Sequence, residues 1–227
     1  MKLHNVTFFA EGVLTAGLCL LLVNTARAAV IVSEVNANGS SAAYSGDWFE
    51  LTNTGAAAVG IGGWKVDDGS NLFGSAIALT GVSSIDPGQS AIFIEGSAAT
   101  ATSFINTWFG GTAPAGFAIG SYSGSGIGLS SGGDAVNIFD GGGVPVASVT
   151  FGATSLGATL NNAAGLTGAI SALSVVGING AFTAGPETGS PGTITSVPEP
   201  GSALLLLLSA SVLTSLRTVN HRRIPRS

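Results

Sequence analysis

Residues 47–53 read Asp47-Trp48-Phe49-Glu50-Leu51-Thr52-Asn53 and run through Thr54 into Gly55. Alternation closed by a glycine is the pattern of a half-buried strand entering a turn. Upstream, Ala29-Val30-Ile31-Val32-Ser33-Glu34-Val35 is rich in β-branched residues and runs into the turn-prone stretch Asn36 to Ser40. Downstream, Trp64-Lys65-Val66 follows the Gly62-Gly63 break, and Ser90-Ala91-Ile92-Phe93-Ile94 follows Pro87-Gly88, a dipeptide suited to a turn. Two further runs, Ala135 to Phe139 and Val144 to Phe151, are joined by Asp140-Gly141-Gly142-Gly143 and read as a hairpin. Six or more short strands with turn signals between them predict an all-β domain, an antiparallel sandwich or barrel. The region Ser155 to Gly185 is rich in Ala, Gly, Asn and Thr, and its β-like stretch Ile170 to Ile178 reads as the closing strand.

The bulk composition agrees. The 227 residues are 45% hydrophobic and only 8% charged, with 35 glycines and Lys confined to Lys2 and Lys65, which disfavours long surface helices. One domain of ordinary size with signals at both ends fits this length. Mean hydropathy is +0.53, but the apolar mass is concentrated in two terminal runs. Between Ala29 and Ser196, Lys65 stands against ten acids, a formal charge of −9. No cationic patch exists there to displace counterions from phosphate, so nucleic acid is not an expected partner.

The strand motifs also carry a resemblance. Ile31 to Val35, Asp47 to Asn53, Gly63 to Val66, the strand led by Pro87-Gly88, and Leu129-Ser130-Ser131-Gly132-Gly133-Asp134-Ala135-Val136 ahead of the hairpin resemble, in order and spacing, a bacterial lamin-tail domain. The resemblance covers about Ala29 to Phe151, and Gly189-Ser190-Pro191-Gly192 is similar to the family's usual ending. It implies an immunoglobulin-like antiparallel β-sandwich. The departure is a long insertion between Thr100 and Tyr122. Its Phe104, Ile105, Trp108 and Phe109 have the spacing of a helical turn that packs its aromatics on the sandwich.

Both termini read as addresses. Lys2, the charge-free run Val13 to Val23 and the small-x-small site Ala26-Arg27-Ala28 form a secretory signal peptide over 1–28, cut by signal peptidase after Ala28. Cys19 leaves with it, so the exported chain has no cysteine and no disulfide. At the other end, Gly201 to Leu216 is uncharged and contains Leu204 to Leu208, followed by Arg217, Arg222, Arg223 and Arg226. Sixteen helical residues rise about 24 Å, so a transmembrane helix over 201–216 spans the bilayer marginally, and the arginines favour a cytoplasmic end. Ahead of it, Pro198 and Pro200 bracket Glu199 and favour extended backbone. Val197-Pro198-Glu199-Pro200, the apolar helix and the arginine-rich end resemble the PEP-CTERM sorting signal that exosortases process in Gram-negative bacteria making extracellular polysaccharide. The resemblance covers 197–227. It implies transient anchoring in the inner membrane, processing by an exosortase, and delivery to the cell surface or a biofilm matrix.

His4 and His221 both lie in these terminal segments, which leaves the domain over 29–196 with neither histidine nor cysteine. Ser-His-Asp and Cys-His catalysis and His- or Cys-ligated metals are thereby excluded. Paired carboxylates remain, with Asp47 and Glu50, or Asp67 and Asp68, as the nearest candidates for a polysaccharide hydrolase. Asp47 and Glu50 are three positions apart on a strand and face opposite sides, which argues for a structural role. Asp67-Asp68-Gly69-Ser70-Asn71 gathers oxygen ligands in a loop and makes calcium the one cofactor left open, although the spacing is not that of an EF-hand. Gly124-Ser125-Gly126-Ile127-Gly128 lacks the Lys and the helix of a nucleotide loop, so its glycines are assigned to a turn. The expected protein is a non-enzymatic structural or adhesive module that meets exopolysaccharide or envelope components.

Overall fold

The computed structural model describes residues 30–123 and 126–193. The expected signal peptide with Ala26 and Ala28, the expected sorting motif Val197 to Pro200, the apolar run 201–216 and Arg217, Arg222 and Arg223 fall outside them, as do Gly124 and Ser125. Among the described residues no helix is long and apolar enough to cross a membrane.

Fourteen strands and one α-helix follow in the order β1 Val30–Asn36, β2 Trp48–Asn53, β3 Val59–Gly60, β4 Lys65–Asp67, β5 Ile77–Ala78, β6 Ser84–Ile85, β7 Ser90–Glu95, α1 Ala98–Phe109, β8 Ala118–Tyr122, β9 Asp134–Phe139, β10 Pro145–Phe151, β11 Leu160–Asn161, β12 Gly168–Ile170, β13 Phe182–Ala184 and β14 Glu187–Gly189. Five strands pair as β11-β1-β2-β7-β8 and five as β12-β10-β9-β4-β5, with β13-β14 and β3-β6 as separate two-stranded ribbons. The stretch 47–53 forms β2, over Trp48–Asn53. Asn53 ends it: its side-chain amide donates to the Ala57 and Ile85 carbonyls at 2.8 Å each, and its Oδ1 accepts from Gly55 N–H.

The sandwich expected from the alternation is present, in agreement with an immunoglobulin-like fold. Its inner core joins Val30, Val32, Phe49, Leu51 and Phe93 of the first sheet to Val66, Val136, Ile138 and Val149 of the second. The predicted hairpin is β9–β10, where Asp140 Oδ1 accepts from Gly142 and Val144 N–H at 2.8 Å each and Gly143 takes φ +84°. A side chain at Gly143 would meet that left-handed backbone strain.

Two sequence expectations are corrected. The sheets are not purely antiparallel, because β8 runs parallel to β7 and β12 parallel to β10, each at a sheet edge. A parallel return needs a crossover. The insertion supplies one for β7 to β8, since α1 carries the chain back; its start is a capping box between Ser97 and Thr100, and Gly110 at φ +63° stops it. The second correction concerns Ile170 to Ile178, which is not a closing strand. The strand ends at Ile170, and Gly177 (φ +82°), Asn179 (φ 51°) and Gly180 (φ +78°) adopt left-handed backbone that no strand can use.

The aromatics of the insertion pack as their spacing predicts. Phe104 and Trp108 are buried on the outer face of the first sheet, edge-on to Trp48 at 5.5 and 6.1 Å, beside Ile92 and Ile94. Phe182 of β13 closes the layer at 5.5 Å from Trp108. The first sheet is therefore covered on both sides.

Candidate functional site

The polar part of that outer layer is built by an irregularity in β1. The register against β2 shifts between Val32 and Glu34. An extra residue there sets Ser33 and Glu34 both toward the outer layer, while Val32 and Val35 stay in the inner core. Glu34 consequently lies opposite Glu50 on β2. Both carboxylates are 1% exposed.

Their partners come from far along the chain. Glu50 accepts from Ser33 Oγ at 2.7 Å and from Gly192 N–H at 2.6 Å. Glu34 accepts from Ser190 twice, from N–H at 2.9 Å and Oγ at 2.9 Å, from Ser174 Oγ at 3.3 Å, and from Thr159 Oγ1. A third buried acid, Glu187 on β14, accepts from Asn36 Nδ2 at 2.7 Å and Tyr44 hydroxyl at 2.8 Å, and Tyr44 in turn accepts from Trp48 Nε1 at 3.0 Å. A chain of hydroxyls, Ser33 to Thr52 at 2.9 Å and Thr52 to Ser90 at 2.7 Å, continues the network along the sheet. The segment from Glu187 to Gly192 is thereby latched across β1 and β2.

Among the described residues this acid cluster has no cation beside it. The only basic residue between Ala29 and Ser196 is Lys65, whose Nζ lies over the Phe73 ring at 4.6 Å, on an element of the other sheet. Burial pushes the Glu50 carboxyl up to about 8, with the neighbouring Glu34 charge adding to it against the Ser33 and Gly192 hydrogen bonds. Burial raises Glu34 as well, opposed by its bonds from Thr159, Ser190 and Ser174. Two carboxylates this close in a dry layer cannot both ionise cheaply, so the pair holds a proton at neutral pH. Tyr44 is raised by burial and then by Glu187, which keeps it a donor.

The candidate residues from the sequence are dispersed. Asp47 does not join Glu50: its Oδ1 accepts from Ser40 N–H at 2.8 Å and braces the tight turn over Gly39–Ser41. Burial raises Asp47, countered by its bonds from Ser40 and Gly39. Asp67 Oδ2 accepts from Ser70 Oγ and Leu72 N–H at 2.6 Å each, and Oδ1 from Ser75 Oγ at 3.0 Å. Asp68 accepts from Ser70 N–H at 2.9 Å. Both oxygens of Asp67 are thus spent on shaping the 67–75 loop. Among the described residues no group of three or more His, Cys, Asp or Glu is arranged around a common metal position.

Glu34, Glu187, Thr159, Ser174 and Ser190 were not legible as a site. Glu34 and Ser190 are 156 positions apart. The one local signal is an ionisable residue inside an otherwise core-like strand, Glu50 between Phe49 and Leu51, since such a residue is rarely buried without partners.

The family model of the Lamin Tail Domain matches residues 24–153. No curated protein matches the chain. The match includes Glu34 and Glu50 and ends before every C-terminal group that binds them.

Proposed function

The chain belongs to the lamin tail domain family, and from that premise we propose that it is an exported surface or matrix protein acting as a structural or adhesive interaction module, not as a hydrolase. The observation that carries this reading is the fate of its acids. Glu34, Glu50 and Glu187 are each at most 5% exposed and take hydrogen bonds from the chain's own hydroxyl, amide and N–H groups. A glycoside hydrolase needs a carboxyl pair open to the sugar and to water. Here the carboxyls hold the C-terminal segment instead, and what remains for function is surface.

The address follows from the terminal motifs. Signal peptidase acts after Ala28, the apolar run 201–216 holds the chain in the inner membrane, and an exosortase processes it at Val197-Pro198-Glu199-Pro200, with Arg217, Arg222 and Arg223 on the cytoplasmic side. Exopolysaccharide or envelope components of a Gram-negative cell are the partners this address offers. Mass spectrometry of the protein from cells and medium tests it: the expected mature chain begins at Ala29 and ends in or near Pro-Glu-Pro. Glu199→Ala is expected to leave the longer form in the inner membrane. An intact chain retaining Met1 and Ser227 in the cytosol overturns the proposal. Binding to isolated exopolysaccharide without release of reducing ends separates the module from a hydrolase.

A further inference from the structure

The loop between β12 and β13 holds aliphatic side chains out in water. Leu173, Val175, Val176 and Ile178 are 48–60% exposed, and Leu166, ahead of β12, is 54% exposed. Four of the eight strongly exposed large aliphatics among the described residues are in this one loop, and Leu166 is a fifth close by in sequence. The loop is nonetheless well bonded. Asn161 N–H donates to Ala172 O at 2.7 Å and Ser174 N–H to Thr159 O at 2.9 Å, while Gly177 N–H to Ala181 O at 2.8 Å and Ala181 N–H to Ile178 O at 2.9 Å close its tip. A bonded loop that exposes four large aliphatics within six residues has the character of an interaction surface.

Two observations identify what it meets. First, no residue from 141 to 186 is charged, so the loop itself offers no ion-pair partner and presents aliphatic area. Second, the loop stands where the chain leaves the domain. A Cβ at Gly180 would lie 2.6 Å from Thr193 Cγ2. From Thr193 to the start of the uncharged apolar run at Gly201 is eight residues, which reach at most about 29 Å when fully extended. Any bilayer that holds 201–216 is therefore within a short tether of the loop's base.

We propose that Leu173, Val175, Val176 and Ile178 form a lipid-contacting surface that seats in the bilayer interface while the chain is tethered through 201–216. The inference rests on the reading of 201–216 as a membrane segment. Aliphatic side chains enter the boundary between headgroups and acyl chains by area, and without Lys or Arg in the loop the contact gains nothing from anionic lipid.

The test uses the full chain carrying Cys19→Ser and one new cysteine at a time: Val176→Cys or Ile178→Cys in the loop, Leu206→Cys in the apolar run, and Leu72→Cys as an exposed reference between β4 and β5. Each is labelled with a polarity-sensitive fluorophore and reconstituted in phosphatidylcholine vesicles containing spin-labelled lipid. The expected result is strong quenching at Leu206 and, at Val176 and Ile178, quenching at least about threefold above Leu72, kept in 0.5 M salt and not strengthened by anionic lipid. Quenching at Leu206 with loop probes equal to Leu72 overturns the loop contact and leaves the membrane segment standing. A Leu206 probe that lipid does not quench overturns both. Loop probes shielded from water but untouched by spin-labelled lipid overturn the proposal in favour of a second copy or another protein.

Discussion

The two faces of the sheet β11-β1-β2-β7-β8 are both buried, but by unlike chemistry. Inward, Phe49 stacks on Phe93 at 5.7 Å and lies 5.6 Å from Tyr122, in a core made of side chains from the two sheets. Outward, one half is aromatic, under α1, and the other half is a network of acids, hydroxyls and backbone N–H groups under the segment 187–192. The inner face is filled by residues whose attraction depends on area and fit and is indifferent to pH. The outer face depends on where protons sit. Burying acids without a cation costs stability unless donors and a bound proton offset it. The cluster therefore contributes to choosing one path for the C-terminal segment more than to holding the sandwich together.

The largest expected effect breaks the inner face. Phe49→Ala opens a cavity between stacked rings and is expected to lower unfolding free energy by about 3–5 kcal/mol, equally at pH 5 and pH 8.5, as read by urea denaturation. A loss that changed with pH would show that the two faces are not independent.

The next effect belongs to the outer face alone. The folded state raises Glu50 from its ordinary carboxylate range to about 8 and raises Glu34 in the same direction, so the native protein binds protons more tightly than the unfolded chain. The stability this provides is complete below about 4.5 and is lost as pH rises through about 8. The loss is on the order of a few kcal/mol, and the melting temperature should be higher at pH 5 than at pH 8.5. Asp47 and Glu95, both raised chiefly by burial, add to the same slope.

Glu50→Gln sharpens the comparison, since it removes the titration and keeps an acceptor. It is expected to stabilise the protein by roughly 1–3 kcal/mol at pH 8.5, to do little at pH 5, and to flatten the pH profile measured by thermal unfolding. An unchanged profile would remove the Glu34–Glu50 pair as its cause. Smaller again, Ser190→Ala deletes one hydroxyl donor to Glu34 while leaving the backbone N–H, at a cost of about 1 kcal/mol. Its signature is faster amide hydrogen exchange over 187–192 with the rates of β7 and β9 unchanged. Ser97→Ala removes the side-chain cap of α1 and should cost about 1 kcal/mol, visible as exchange confined to the first turn of that helix.

Much of the frame was readable because strands and turns are local. The alternation at 47–53, the glycines at 141–143 between two β-branched runs, and the i, i+4 aromatics Phe104 and Trp108 each carry their structure within about ten residues. The stretch 170–178 misled because β-branched and aliphatic residues read as strand, whereas Gly177, Asn179 and Gly180 turn the backbone left-handed and leave Val175, Val176 and Ile178 in water. The acid cluster was illegible for another reason. Glu50 is paired with Glu34 only because β1 slips its register, and Glu34 is satisfied only because residues 159, 174 and 190 arrive from the far end of the domain.

The sequence by itself determined strands β1, β2, β4, β7, β9 and β10, the hairpin at 140–143, the helical insertion and the absence of histidine and cysteine from the domain, because these are properties of neighbouring residues and of composition. Only the tertiary structure decided that β8 and β12 run parallel to their neighbours, that Glu34 and Glu50 are sealed beneath a C-terminal strap that itself carries the buried Glu187, and that an apolar loop is exposed on the domain surface beside Thr193. Those depend on which distant segments meet, and that outcome is set by the packing free energy of the whole domain and written in no single stretch of it.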